Sequence, residues 1–164
     1  MKRIGFGQVE PNHLSAKRNG KIYAQLPAAE GIAILENGMF AKYDYAAGEV
    51  NFGGEGEWML VYNEVKLYDD AWRESYKDFA LRASDFSDGK MYPRLFKTDI
   101  GDIFTTNCLK AEVDFDNVTV GMKLAPNANG YLEAFEGNSG MIWKVVKVYT
   151  MPDGQPGVKI QRVQ

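Results

Sequence analysis

The sequence predicts a mostly β fold, arranged as a small β-barrel or β-sandwich, with an extended N-terminal arm and at most one or two short helices. Aromatic residues make up 13% of the chain, and 17 glycines are spread along it. Aromatic residues favour strands, and glycine permits the tight turns between them. Turn signals separate short apolar segments roughly every 8–12 residues, a spacing that is typical of barrels and sandwiches.

Size and composition indicate one globular domain of ordinary size or two very small ones. The chain has 164 residues, of which 45% are hydrophobic and 25% charged, so a hydrophobic core can form without disulfides or metals. Cys108 is the only cysteine, and we expect it to be a buried, inert thiol in a protein assembled in a reducing cytoplasm. No apolar run approaches the roughly 18 residues of a membrane span, and we expect no export signal and no membrane partner.

Residues 1–20 are predicted to form the extended arm, because they are polar, contain Pro11 and show neither helical nor strand periodicity. Four basic side chains and one acidic side chain give this segment a charge of +3, whereas the remaining 15 basic and 21 acidic residues give −6. We expect the arm to be mobile in the free protein and ordered on a partner; a solvated tail is the alternative. Its candidate contact residues are Lys2, Arg3, Phe6, Leu14, Lys17 and Arg18.

Residues 21–84 form a predicted β-rich N-terminal region. Its first strand candidates are residues 21–26, 31–36, 39–45 and 49–52. Asn37-Gly38 predicts a type I′ hairpin between two of them, because both residues tolerate positive φ. Ala47-Gly48 predicts a second turn.

Residues 58–68 show the clearest strand alternation. One predicted face carries Met59, Val61, Val65 and Leu67. The other carries Trp58, Leu60, Tyr62, Glu64, Lys66 and Tyr68, and its aromatic side chains indicate that another segment or a partner covers it. Residues 69–82 are the one helix candidate, because apolar residues recur at helical spacing after Asp69 and Asp70.

Residues 85–164 are predicted to form a small β-barrel domain. Its strand candidates are residues 95–96, 103–106, 109–113, 118–124, 131–135, 141–150 and 158–163. Asp88-Gly89 marks the entry to this region, and the sequence MPDGQPG at 151–157 predicts a turn between its last two strands.

No motif in the sequence indicates a phosphate loop, a nucleophile elbow or a zinc site. GxxxxGK[ST] and GxSxG are absent, and the single histidine, His13, cannot combine with one cysteine to hold zinc. Asp114, Asp116 and Asn117 offer oxygen ligands but lack the spacing of an EF-hand, so we expect a plain acidic turn there.

Paired carboxylates are the remaining sign of enzymatic chemistry. Glycoside hydrolysis requires two carboxylates, and the candidate pairs are Glu55 with Glu57 and Asp69 with Asp70. With 22 acidic residues in the chain, such pairs arise by chance. We therefore predict no cofactor, no metal and no enzymatic activity.

Trp58, Tyr62 and Tyr68 share a predicted strand face and are candidates for a stacking platform. More commonly, such a stripe is the inner face of a second layer. A carbohydrate- or small-ligand-binding β module acting through the aromatic face near Trp58 is therefore kept as an alternative function.

Four segments of the second half, taken in order, form a characteristic succession of strands and turns. They are YPRLFKTDIGDIFTTN at 92–107, VGMKL at 120–124, the ANG turn at 128–130 and KVVKVYTMPDGQPGVKIQRV at 144–163. Together they resemble the head decoration proteins of tailed bacteriophages, over about 70–75 residues and under half of the chain. Residues 35–52 also look like phage virion sequence.

The resemblance implies a small barrel or tulip-like domain with a structural role. Decoration proteins bind the outer surface of a capsid and reinforce the shell through many modest contacts. The implied partners are the major capsid protein and neighbouring copies of this chain, and the implied location is the virion, after assembly in the host cytoplasm. The acidic body argues against a nucleic-acid partner.

Overall fold

The computed structural model describes residues 3–15, 26–63, 80–111, 113–137 and 140–164. Strands account for 38% of the structure and helix for 5%, including short 3₁₀ helices at Ala83–Asp85 and Phe115–Asn117. The mostly β prediction is confirmed. The described strands are β1 (Val9–His13), β2 (Ile34–Leu35), β3 (Phe40–Asp44), β4 (Glu49–Asn51), β5 (Met59–Val61), β6 (Leu81–Arg82), β7 (Leu95–Phe96), β8 (Ile103–Thr106), β9 (Lys123–Pro126), β10 (Leu132–Ala134), β11 (Trp143–Thr150) and β12 (Pro156–Arg162).

One layer is an antiparallel six-stranded sheet with the strand order β1-β8-β12-β11-β9-β10. Its longest element is the β11–β12 hairpin, whose turn the sequence MPDGQPG predicts. Gly154 has a φ of +82° in this turn, a conformation that glycine adopts without strain. One face of the sheet contributes Phe104, Leu124, Trp143, Val145 and Ile160 to a buried core.

The six-stranded sheet is open. β1 and β10 are its edges, and β10 reaches back toward β8 through a parallel bridge between Leu132 and Leu109. The Lys110 N–H also donates to the Leu132 carbonyl at 2.9 Å. Of the two predicted arrangements, the described strands therefore form a small sandwich-like fold and not a closed barrel.

A four-stranded sheet with the order β4-β3-β5-β7 packs against the first sheet and contributes buried residues to a core on each of its faces. Leu60 and Phe96 face the core that the two sheets share. Met59, Val61 and Leu95 face a second core on the opposite side. This alternation agrees with the predicted strand over residues 59–61; residues 58, 62 and 63 lie outside β5, and residues 64–68 lie outside the described part of the chain.

Strand pairing crosses the predicted boundary between residues 84 and 85. β7 pairs with β5, and Met91 and Cys108 lie in the same core as Leu35. β2 and β6 pair with each other beside that core. The predicted N-terminal region and barrel domain are therefore interleaved in the described structure.

The predicted free arm is corrected over residues 3–15. β1 pairs with β8, placing Val9 opposite Thr106 and Glu10 opposite Thr105. The register shifts between Glu10 and His13, around Pro11, which lacks the N–H that a regular ladder uses. The sequence shows no alternation here because β1 is an irregular edge strand.

The hairpin predicted at Asn37-Gly38 is wrong. β2 pairs with β6, whereas β3 pairs with β4 and β5. Gly38 has a φ of +97° but Asn37 does not have a positive φ, so the turn is not type I′. A Cβ on Gly38 would lie 2.5 Å from the Thr106 hydroxyl, so the close approach of the six-stranded sheet requires glycine.

The helix predicted over residues 69–82 lies mostly outside the described residues. Its last two residues are wrong, because Leu81–Arg82 is strand β6. The pairing of Leu81 with Leu35 places both side chains at the second core, and this tertiary contact outweighs the local helical spacing.

Candidate functional site

Three of the candidate arm residues are described, and each contacts its own chain. Arg3 Nη1 lies 2.9 Å from Glu36 Oε2. The Arg82 guanidinium lies 4.7 Å from the centre of the Phe6 ring, and Leu14 is buried in the core between the sheets. These three residues are therefore held by contacts within the chain, and their predicted contact with a partner stays a prediction. The described part of the chain does not include Lys2, Lys17 and Arg18.

Buried polar side chains hold the N-terminal segment (residues 3–15) against the body. Its backbone N–H groups donate to four side-chain acceptors that are each at most 4% exposed: Ile4 to Gln155 at 2.9 Å, Gly7 to Glu36 at 2.5 Å, Gln8 to Asn107 at 2.8 Å and Ser15 to Asp102 at 3.0 Å. A buried acceptor that loses its donor is costly. The body is therefore built around this segment.

Glu36 is the centre of a buried polar cluster. Besides Arg3 and the Gly7 N–H, its carboxylate accepts a hydrogen bond from the Tyr131 hydroxyl at 2.7 Å. Burial, and then the Glu36 charge, raises the pKa of the Cys108 thiol. Burial, and then the hydrogen bond to Glu36, raises the pKa of Tyr131. The raised pKa values disfavour the ionised, nucleophilic forms of the Cys108 thiol and the Tyr131 hydroxyl.

A pocket of about 230 Å³ lies beside this cluster. It is lined by Arg3, Leu109, Lys110, Ala111, Asn127, Asn129 and Tyr131. Its two cations already have carboxylate partners, because Arg3 pairs with Glu36 and Lys110 Nζ lies 3.3 Å from Glu133. The positive charges at the pocket are therefore balanced by carboxylates of the same chain.

The aromatic residues near Trp58 belong to a packed layer. Trp58 and Tyr62 pack against the core between the sheets. Lys42 Nζ lies 4.7 Å from the Trp58 ring centre, and the Tyr62 ring lies 5.5 Å from that of Phe96. The third predicted member, Tyr68, lies outside the described residues.

Two of the described acidic candidates make structural contacts, whereas Glu55 is exposed. Asp114 Oδ1 accepts the Asp116 N–H at 3.0 Å and caps a 3₁₀ helix, and Glu57 pairs with Lys97 at 2.5 Å. Within the described ranges no three His, Cys, Asp or Glu side chains are grouped to hold a metal. The same residues include no helix long and apolar enough to cross a membrane.

The outer face of the six-stranded sheet carries a cluster that the sequence did not single out. Cross-strand pairing places Lys144 of β11 opposite Lys123 of β9. In the next row, Lys147 of β11 lies opposite Lys159 of β12. We call these four residues the lysine face. Alternation along β11 predicts that Lys144 points outward. The β11–β12 register is irregular between residues 145 and 147, so simple alternation does not predict that Lys147 lies on the same face.

Tyr149 lies at the centre of a network beside the lysine face. Its hydroxyl group is 2.8 Å from Glu10 Oε2 and 2.9 Å from Thr105 Oγ1. Lys147 Nζ and Lys159 Nζ lie 5.0 and 5.8 Å from its ring centre. Burial is the largest cause that raises the pKa of Tyr149. The hydrogen bonds fix the position of the Tyr149 ring, which in turn contacts the ammonium groups of Lys147 and Lys159.

Searches for known proteins give no match: no family model, no curated protein and no solved structure is similar to this chain at a significant level.

Proposed function

We propose that this chain is a structural virion protein that binds the outer surface of a tailed-phage capsid and reinforces the shell. The major capsid protein is its partner, and neighbouring copies of the chain contact one another on the lattice. The proposal includes the absence of enzymatic activity and a location on the virion.

The arrangement of the resembling segments carries the proposal. The segments at 92–107, 120–124 and 144–163 supply β8, the first half of β9, and nearly all of both strands of the long hairpin. These strands are consecutive neighbours, in the order β8-β12-β11-β9. These four strands therefore form one continuous surface whose outer side carries exposed charged residues, whereas β7, from the same segment 92–107, lies in the four-stranded sheet.

The buried polar groups support a structural role over a catalytic one. The Glu36 carboxylate, next to the pocket, is occupied by its three partners. Cys108 is fully buried, and burial raises its pKa, which disfavours the thiolate that nucleophilic chemistry needs. The alternative of a carbohydrate-binding module has less support, because Trp58 and Tyr62 pack against the core.

Co-sedimentation with empty shells of the same virus tests the proposal. The purified chain is mixed with shells assembled from the major capsid protein alone, and a glycan array is probed in parallel. We expect the chain to pellet with the shells at a saturating, fixed ratio. A folded chain that stays in the supernatant would overturn the proposal, and glycan binding lost with Trp58→Ala would favour the alternative.

A further inference from the structure

The lysine face contains two pairs of like charges that lie directly opposite each other. Lys144 faces Lys123, and Lys147 faces Lys159 in the adjacent row. Opposed residues on neighbouring antiparallel strands have Cβ atoms about 4.5–5.5 Å apart, and like charges there destabilise the sheet. This surface therefore contains two destabilising cross-strand pairs, and such locally unfavourable arrangements are typical of functional sites.

No carboxylate of the described residues forms an ion pair with any of these four lysines. The nearest acid along their rows is Glu10, on β1, which is separated from β12 by β8 and accepts a hydrogen bond from Tyr149. Glu133, on β10, pairs instead with Lys110. Four positive charges thus share one face of a chain whose net charge is −3.

Two of the four ammonium groups, those of Lys147 and Lys159, lie close to the Tyr149 ring. The Tyr149 ring lies within 5.8 Å of both Lys147 Nζ and Lys159 Nζ, and its hydroxyl group is fixed by Glu10 and Thr105. A cation above an aromatic face is attracted to the ring, which limits its motion. Less conformational entropy is then lost when a partner binds.

We infer that the lysine face docks onto an acidic protein surface, with Lys123, Lys144, Lys147 and Lys159 as the contact residues. The inference rests on the proposed function, since the partner is the outer surface of the shell. A protein partner fits better than a nucleic acid for two reasons. The four lysines span only three strands, about 10 Å, whereas the acidic remainder of the chain would repel an extended phosphate backbone.

Matched charge reversals test the inference on the full-length chain. Lys147→Glu and the double variant Lys144→Glu/Lys147→Glu change the face, whereas Lys90→Glu changes an exposed lysine elsewhere by the same charge. Binding to shells is measured from about 0.05 to 0.5 M NaCl, and the thermal midpoint of each variant confirms its fold. We expect Lys147→Glu to weaken binding at low salt by at least about fivefold and Lys90→Glu to change it by less than about twofold. Salt should weaken wild-type binding and reduce the difference between variants.

Separate outcomes distinguish the inference from the proposed function. If the wild type binds shells and the reversed variants bind equally well, the lysine face is not the contact and the inference is overturned. If the wild type does not bind shells, the proposed function fails, and titration with poly-L-glutamate decides the inference. Binding that disappears in the double variant supports an acidic polypeptide partner. If the wild type and the double variant bind poly-L-glutamate equally well, the inference is overturned. It is also overturned if the wild type binds duplex DNA more tightly than poly-L-glutamate at the same salt concentration.

Discussion

Glu36 shows how a charged residue next to a turn acquires a structural role. Its position before Asn37-Gly38 looks like an ordinary solvated site in the sequence. The fold buries it because Arg3, Gly7 and Tyr131 converge on its carboxylate from distant parts of the chain. Sequence patterns reveal local spacing and not such convergence, so the cluster was not predictable from the residues alone.

Neutralising Glu36 should destabilise the protein. Glu36→Gln retains the size of the side chain but leaves the Arg3 charge without its partner and weakens the Gly7 and Tyr131 hydrogen bonds. We expect the free energy of unfolding in urea to fall by about 1–3 kcal/mol. Glu55→Gln, at an exposed position, is the control and should change little. Equal urea midpoints for the two variants would mean that the cluster does not stabilise the fold.

Tyr131 should make the protein sensitive to alkali. Its pKa in the folded state is raised above the usual value of about 10, so above that pH the folded state keeps a proton that the unfolded state releases. Linkage then lowers the free energy of unfolding as the pH rises from about 10. Tyr131→Phe should lose less stability than the wild type between about pH 10 and 11.5. Parallel curves of unfolding free energy against pH would exclude this role.

At the scale of elements, the sequence predicts strands best where alternation and turn chemistry agree. The β11–β12 hairpin and the Ala47-Gly48 turn are both found, the latter with the Gly48 N–H donating to the Asp44 carbonyl at 2.8 Å. Pairing partners were less predictable, because the Asn37-Gly38 turn separates strands that pair elsewhere. β1 is not predictable from alternation because it is an edge strand whose register with β8 is irregular between Glu10 and His13.

Removing residues 1–15 should destabilise the whole protein. The deletion takes away β1 and leaves Gln155, Glu36, Asn107 and Asp102 without their donors from the N-terminal segment. Losing one partner of a buried hydrogen bond costs about 1–3 kcal/mol, so we expect the loss of these four bonds to lower the thermal midpoint by roughly 10 °C or more. A calorimetric midpoint within a degree or two of the wild type would show instead that the segment is a mobile arm.

Reversing one charge of an opposed lysine pair should stabilise the sheet. Lys147→Glu turns a repulsive cross-strand pair with Lys159 into an attractive one. We expect the free energy of unfolding in urea to rise by about 0.2–1 kcal/mol. Lys90→Glu, which has no cross-strand neighbour, should leave it nearly unchanged. A less stable Lys147→Glu protein would indicate that repulsion between these lysines is not significant.

At the scale of the whole molecule, the spacing of turns was sufficient to predict a mostly β fold, but not its layers. The two cores combine residues from both halves of the chain, such as Leu14 with Trp143 and Leu35 with Cys108. Periodicity identifies which side of a strand is apolar without identifying what covers it. The outer face of the six-stranded sheet was equally hidden, since it depends on the register of three strands.

Cryo-electron microscopy of shells with and without the added chain is the most direct test of capsid binding. The difference map should contain density on the outer surface, repeated at equivalent lattice positions and fitted by the two-sheet structure. The six-stranded sheet should face the shell, with Lys147 and Lys159 toward acidic residues of the major capsid protein. Shells without added density, at a concentration where the chain is folded and in excess, would contradict the proposed function.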